Sequence, residues 1–485
     1  MPPANTGDRY QGPGTNPFVY AEQDPFSTFA VDVDTASYDI FRRDVNLGTL
    51  PQPDSVRLEE YVNAFDYAYP APGPEEPAPF KVSIAAAGQV FDRPTLLFRV
   101  GIAGRKPPPM ERRPANLVFL VDVSGSMASP EKLPLVRKTL LETVEFLDPT
   151  DRVSIVTYAS NTGVRLPPTP VAQASSILAA INGLEAGGST AGASGIDLAY
   201  SQATAGFIEG GINHVLLCTD GDFNVGVSST KALVDLIRSK RQTGVTLTVL
   251  GYGVGNLNDD MMEKVSNAGN GIYGLISDQE QMRRYVRERM LSTLVHIAKD
   301  VKIQVEFNPQ RVFAYRLLGY ENRAIADTDF RNDGIDAGEI GAGHKVTALY
   351  ELVLVGQTIP ERVGAPGPSG GEPSPNLPRE IAPGELALVK VRWKTVDATD
   401  ASPAQELNTA LSADQVFETL GVADDDLKWA AAVAAFAELL KKSPYADPAS
   451  LETTRLIVEG QAQRDMDRAE FSLLLQKALP RLAGR

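Results

Sequence analysis

The residues best suited to chemistry are Asp122-Val123-Ser124-Gly125-Ser126, which follow the apolar run Leu117-Val118-Phe119-Leu120-Val121. One carboxylate and two hydroxyls standing where a strand gives way to a loop are hard oxygen donors, the kind that Mg²⁺ or Ca²⁺ takes. Two more segments extend the set. Gly187-Gly188-Ser189-Thr190 precedes one predicted helix, and Thr219-Asp220-Gly221 follows the predicted strand His214-Val215-Leu216-Leu217-Cys218. Taken singly, each segment is an ordinary helix cap or turn. Their occurrence together, in this order, on one repeating strand-helix frame is what makes them a candidate cation site.

That frame begins at Asn116. Strands are predicted at 116–123, 152–159, 214–219, 245–252 and 271–276, and helices at 131–147, 172–183, 193–207, 229–241, 258–268 and 278–297. Such alternation argues for an α/β, doubly wound parallel sheet with helices on both faces. In an open parallel sheet, loops at the carboxyl ends of neighbouring strands converge on one crevice, which would gather the three segments.

Strands flank this frame on both sides, at Phe80 to Ala86 and Thr95 to Ile102 before it, and at Val301 to Phe307, Phe313 to Leu318, Val346 to Val355 and Leu386 to Trp393 after it. The economical reading inserts the α/β domain, 114–298, into a β-sandwich built from 80–105 and 299–397. Residues 17–70 read as a small α/β N-terminal region, and 70–79 as a Pro/Glu-rich linker. Residues 1–16, rich in Pro, Gly and Asn, read as a flexible tether. From 403 to 485 the chain reads as a helical C-terminal region, with Trp429, Val433, Phe436 and Leu440 on one apolar face. Asp32, Asp34 and Ser37 offer a second cation site, but capping of the next helix is the better account of them.

A formal net charge of −15 over 485 residues speaks against a nucleic-acid surface, which needs a clustered basic face. Cys218 is the only cysteine, so no intrachain disulfide and no cysteine-based zinc site can form. His214, His296 and His344 are scattered among dissimilar segments, which argues against a multi-histidine metal site or a Ser-His-Asp triad. No apolar stretch is long enough for a transmembrane segment, and the opening Met1-Pro2-Pro3-Ala4 has no export-signal core.

The Asp-x-Ser-x-Ser segment, the Thr and the Asp together resemble the metal-ion-dependent adhesion site of von Willebrand factor type A (VWA) domains, with no position missing. The resemblance implies a Rossmann-like VWA fold and Mg²⁺, with Mn²⁺ or Ca²⁺ as alternatives. It implies that Ser124 and Ser126 are direct ligands, that Thr190 or Asp220 joins them according to conformation, and that Asp122 acts mainly through a bound water and hydrogen bonds. Ser27-Thr28-Phe29-Ala30-Val31-Asp32-Val33-Asp34-Thr35-Ala36-Ser37-Tyr38, Gly319-Tyr320-Glu321-Asn322-Arg323 and Asp336 to His344 are similar to a family of bacterial VWA proteins. In that family the VWA domain lies between an associated N-terminal domain and a C-terminal domain of unknown function. The match begins near residue 16.

What the resemblance implies is divalent-metal-dependent adhesion to another protein, whose Asp or Glu completes the coordination. Two carboxylates roughly offset a dication, so a third can still be attracted. Unit charges about 4 Å apart interact by roughly 4 kcal/mol at an effective dielectric near 20, against about 0–1 kcal/mol for an exposed salt bridge. Many family members resemble exported lipoproteins, which implies an extracytoplasmic protein with any membrane tether upstream of residue 1. Two other readings compete: a metal-assisted hydrolase with Asp222 as its base, and a metal-independent structural scaffold of an envelope assembly.

Overall fold

Strands buried on both faces read as continuous apolar runs rather than alternating ones, and the strands Ala115–Asp122 and Ile212–Thr219 follow that rule. The computed structural model describes residues 7–31, 34–88, 91, 93–106, 113–188, 193–221, 230–290, 294–335, 337–371, 377–398 and 402–482. It forms two units, one of Met1–Gln11 and Pro107–Val295, the other of Gly12–Lys106 and His296–Arg485.

In the first unit one sheet runs in the order Tyr273–Ile276, Thr246–Tyr252, Ile212–Thr219, Ala115–Asp122, Arg152–Tyr158 and Thr162–Pro170. All neighbours pair parallel except the last, which is antiparallel. This is the doubly wound α/β fold expected. The edge strand Thr162–Pro170 is an addition. Pro167, Pro168 and Pro170 disguise it as a loop, and because proline cannot donate to a ladder they confine it to the edge. Cys218 is fully buried in the strand Ile212–Thr219, and burial pushes its thiol up to about 12, as suits an inert core thiol.

Two expectations about this unit are corrected. The helix expected to continue to residue 297 stops just short of it: Gln279–Arg284 passes into a π-helical turn, Tyr285–Arg289, residues 290 and 294 are still helical, and the strand begins at His296. Pairing with Gly338–Gly341, His296 opposite Gly341 and Ala298 opposite Ile340, draws the first residues of that strand into the extended form. Residues 7–10, expected within a flexible tether, are bonded to the rest of the unit, with Arg9 N donating to Leu257 O at 2.7 Å.

The second unit packs two sheets face to face. One runs Val19–Tyr20, Val312–Leu318, Lys345–Leu354, Leu96–Gly104, Phe80–Ala87, Val416–Phe417; the other runs Gly338–Gly341, His296–Phe307, Glu385–Lys394, Gln405–Ser412, with Phe26–Ala30 also paired to His296–Phe307. Phe29, Phe98, Ile303, Phe307, Tyr350 and Trp393 fill one core between them. Gln405–Ser412 lies in the stretch expected to be helical. Its Leu407 and Leu411 share one strand face while the backbone pairs with Glu385–Lys394, and that ladder overrides the weak helical pattern.

Helices Ala36–Asn46, Leu58–Val62, Asp425–Lys441 and Met466–Leu482 build a second core in this unit around Phe41, Phe65, Trp429, Phe436 and Phe471. The predicted face of Trp429, Val433, Phe436 and Leu440 is wholly buried. At the start of the helix Ala36–Asn46, Thr35 makes no side-chain cap bond, and Ser37 N donates to Glu60 Oε2 at 2.7 Å. Asp34 pairs with Arg323 at 3.2 Å, and Asp32 lies outside the described residues.

Phe471 touches Phe65, Trp429 and Phe436 with ring centroids 5.2–5.8 Å apart. Phe471→Ala should therefore cost the second unit about 3–5 kcal/mol. Both tryptophans, Trp393 and Trp429, belong to that unit, so urea unfolding followed by tryptophan emission measures it; a loss under about 1 kcal/mol contradicts this core.

Candidate metal centre

Register sets the first two groups. Asp122 closes its strand paired with Tyr158, and the preceding Val121 is level with Cys218, so Asp122 stands beside Thr219 with Asp220 next in the chain. Parallel neighbours lie about 4.8 Å apart, and the two carboxyls leave adjacent strands at the same sheet edge. Beyond Asp122 the chain turns tightly. Ser124 N donates to Asp122 Oδ1 at 2.8 Å, and the Ser124 and Ser126 hydroxyl oxygens are 3.0 Å apart. Gly187 N donates to Val123 O at 2.7 Å, and Gly125 N to Gly188 O at 2.9 Å, which ties the second predicted loop against the first. Thr190, two residues beyond Gly188, lies outside the described residues, as does Asp222. Asp122, Ser124, Ser126 and Asp220 are thus brought together.

The two carboxylates are treated unequally. Asp220 is 1% exposed, and burial alone would raise it; hydrogen bonds from Asn256, Lys132 and Ser126 outweigh burial and hold it below the usual carboxylate range. Lys132 Nζ lies 2.9 Å from Asp220 Oδ2 and 3.1 Å from Asn256 Oδ1. Its stem lies against Gly253, where a Cβ would come within 2.7 Å of Lys132 Cε. Among the described residues, Asp122 faces no such cation. Burial pushes its carboxyl up to about 6 against the opposing Ser124 hydrogen bonds, and the neighbouring Asp220 charge adds to the rise. Its Oδ2 closes no well-formed hydrogen bond.

Lys132 and Asn256 escaped the sequence reading. They lie 88 and 36 residues from Asp220, and no local spacing connects them to it.

These residues fit a divalent ion. A buried carboxylate beside a second carboxylate is a place short of positive charge, and the Ser124–Ser126 turn next to Asp122 is exposed at Gly125 and Ser126. The donors are all oxygen, which suits Mg²⁺, Mn²⁺ or Ca²⁺ better than softer ions. Among the described residues, no group of three or more His, Cys, Asp or Glu side chains forms an alternative centre.

A raised Asp122 has a definite sign in stability. Between the ordinary value of 3.8 and about 6 the folded state binds more protons than the unfolded chain, so stability falls as pH rises through that window. The loss reaches about 3 kcal/mol at neutral pH. Asp122→Asn should therefore raise the melting midpoint in EDTA at pH 7, flatten the pH dependence between 5 and 7, and abolish any stabilisation by Mg²⁺. Thermal unfolding followed by circular dichroism measures all three; a lower midpoint for the variant in EDTA contradicts the assignment.

The family model described as von Willebrand factor type A domain matches residues 116–288. A model described as von Willebrand factor matches residues 4–99, and one described as Uncharacterized protein YfbK, C-terminal, matches 292–479. Uncharacterized protein YfbK of Escherichia coli K12 is 38% identical over 485 residues, spanning 98% of this chain and 82% of the relative. Among solved structures, a von Willebrand factor type A protein from Catenulispora acidiphila is 17% identical over 81% of this chain and 86% of its own, with a TM-score of 0.43. The ArnB paralog VWA2 from Sulfolobus acidocaldarius is 11% identical over 84% of this chain and 98% of its own, with a TM-score of 0.38. On its full-length identity and its central domain, the chain belongs to the YfbK family of bacterial proteins built around a VWA domain.

Proposed function

We propose that the protein is a divalent-metal-dependent protein-interaction module. Ser124, Ser126 and Asp220, with Thr190 added from the neighbouring loop, hold the ion, and Asp122 orients the Ser124 turn and supplies the second negative charge. When bound, the ion, Mg²⁺ or alternatively Mn²⁺ or Ca²⁺, supplies a Lewis-acidic position for an Asp or Glu of the partner. VWA domains generally mediate metal-dependent protein interactions, and the family membership supports the same role here.

The observation that carries this reading is the contrast in exposure. Asp122, Ser124 and Asp220 are buried while Gly125 and Ser126 are exposed, so the oxygen set opens to solvent on one side, where a partner can reach it. Lys132 neutralises one acid from the inner side and leaves the outer side to the ion. The natural setting for such a partner, on family grounds, is the bacterial cell envelope. No described helix is long and apolar enough to cross a membrane.

The immobilised full chain should capture a protein from an envelope extract in Mg²⁺ and release it in EDTA, while Ser124→Ala should fail to capture it in either condition. Equal capture by wild type and variant, with and without EDTA, would favour the metal-independent scaffold. Metal-dependent turnover of phosphoesters lost in Ser124→Ala would favour the hydrolase.

A further inference from the structure

We propose that the N-terminal segment Gly7–Tyr10 is a working part of the metal centre, and that Asp8 is a positioning residue acting on Asp220 through Asn256. The inference rests on the metal-binding reading above. Asp8 is 8% exposed, and its Oδ1 accepts two backbone hydrogen bonds, from Gly255 N at 2.8 Å and from Leu257 N at 3.0 Å. These are the amides on either side of Asn256, so one carboxylate oxygen grips that residue from both directions. Tyr10 Oη donates to Asp8 Oδ2 at 3.1 Å. Arg9 N donates to Leu257 O at 2.7 Å, and Asp259 N to Arg9 O at 3.2 Å, which lays the segment along the loop like a short added strand. The fit is close: a side chain at Gly7 would overlap the Gly255 carbonyl oxygen.

Asn256 is where this grip reaches the centre. Its Oδ1 accepts from Lys132 Nζ at 3.1 Å, and its side chain also hydrogen-bonds Asp220. An ionised carboxylate only accepts, so Asn256 donates to Asp220 while accepting from the ammonium that neutralises it. Loosening the 253–258 loop would deprive Asp220 of one donor and Lys132 of one acceptor at once. Groups that orient metal ligands from behind typically change metal affinity by about 10–100-fold when removed.

The test uses the full-length protein and Mn²⁺, with free Mn²⁺ measured by electron paramagnetic resonance. Asp8→Ala should weaken Mn²⁺ binding by about tenfold and speed amide exchange at residues 255 and 257. Asp8→Asn keeps an acceptor oxygen for both amides and should stay within about threefold of wild type. Gly7→Ala, which removes no charge, should weaken binding in the same direction as Asp8→Ala. Unchanged Mn²⁺ affinity in Asp8→Ala would overturn the proposal, as would Asp8→Asn binding as weakly as Asp8→Ala, because charge alone would then explain the effect. Absence of Mn²⁺ binding by the wild type would instead defeat the metal-binding reading itself, and this inference with it.

Discussion

Two carboxylates lie close together at the carboxyl ends of neighbouring strands of the parallel sheet, and the rest of the centre is organised around that repulsion. With Val121 level with Cys218, Asp122 stands beside Thr219 and Asp220 follows one residue later, near enough for its charge to raise Asp122. Burying one charge costs several kcal/mol unless it is paired and hydrogen-bonded. The protein answers one of the two from within. Asp220 receives Lys132, Asn256 and Ser126, whereas Asp122 receives the Ser124 turn and is pushed up to about 6. Positive charge supplied from outside would complete the balance, which is the physical origin of the proposed metal dependence.

Buried charge in the second unit is handled differently. Glu306 lies 2.9 Å from Lys390 and accepts from the backbone amides of Glu380 and Ile381. Arg316 bridges Glu351 and Glu438 at 3.1 and 3.0 Å and lies over the Tyr445 ring. Each of these acids meets a protein cation, and the groups read as closed structural pairs. Among the described residues, the strand end at Asp122 is not closed in that way, and it lies beside exposed Gly125 and Ser126.

Much of this was legible in the residues. Long apolar runs, strand-helix alternation and the Asp-x-Ser-x-Ser turn each act locally, so the doubly wound sheet and the placement of Asp122, Ser124, Ser126 and Asp220 could be read directly. Other features depend on partners distant in the chain. Thr162–Pro170 looks like a loop until an edge position relieves its prolines of donating, and Gln405–Ser412 is extended because Glu385–Lys394 pairs with it. Lys132 meets Asn256 across 124 residues, and Asp8 meets Leu257 across 249. No periodicity or motif spacing encodes contacts of that kind.

The most direct test of the central claim is anomalous diffraction at the manganese edge from crystals of the full chain grown with Mn²⁺. A single strong peak within coordination distance of the Ser124 and Ser126 hydroxyl oxygens, lost in Ser124→Ala crystals, is the predicted result. Crystals saturated with Mn²⁺ that show no peak at this edge, or a peak only elsewhere, would contradict the account.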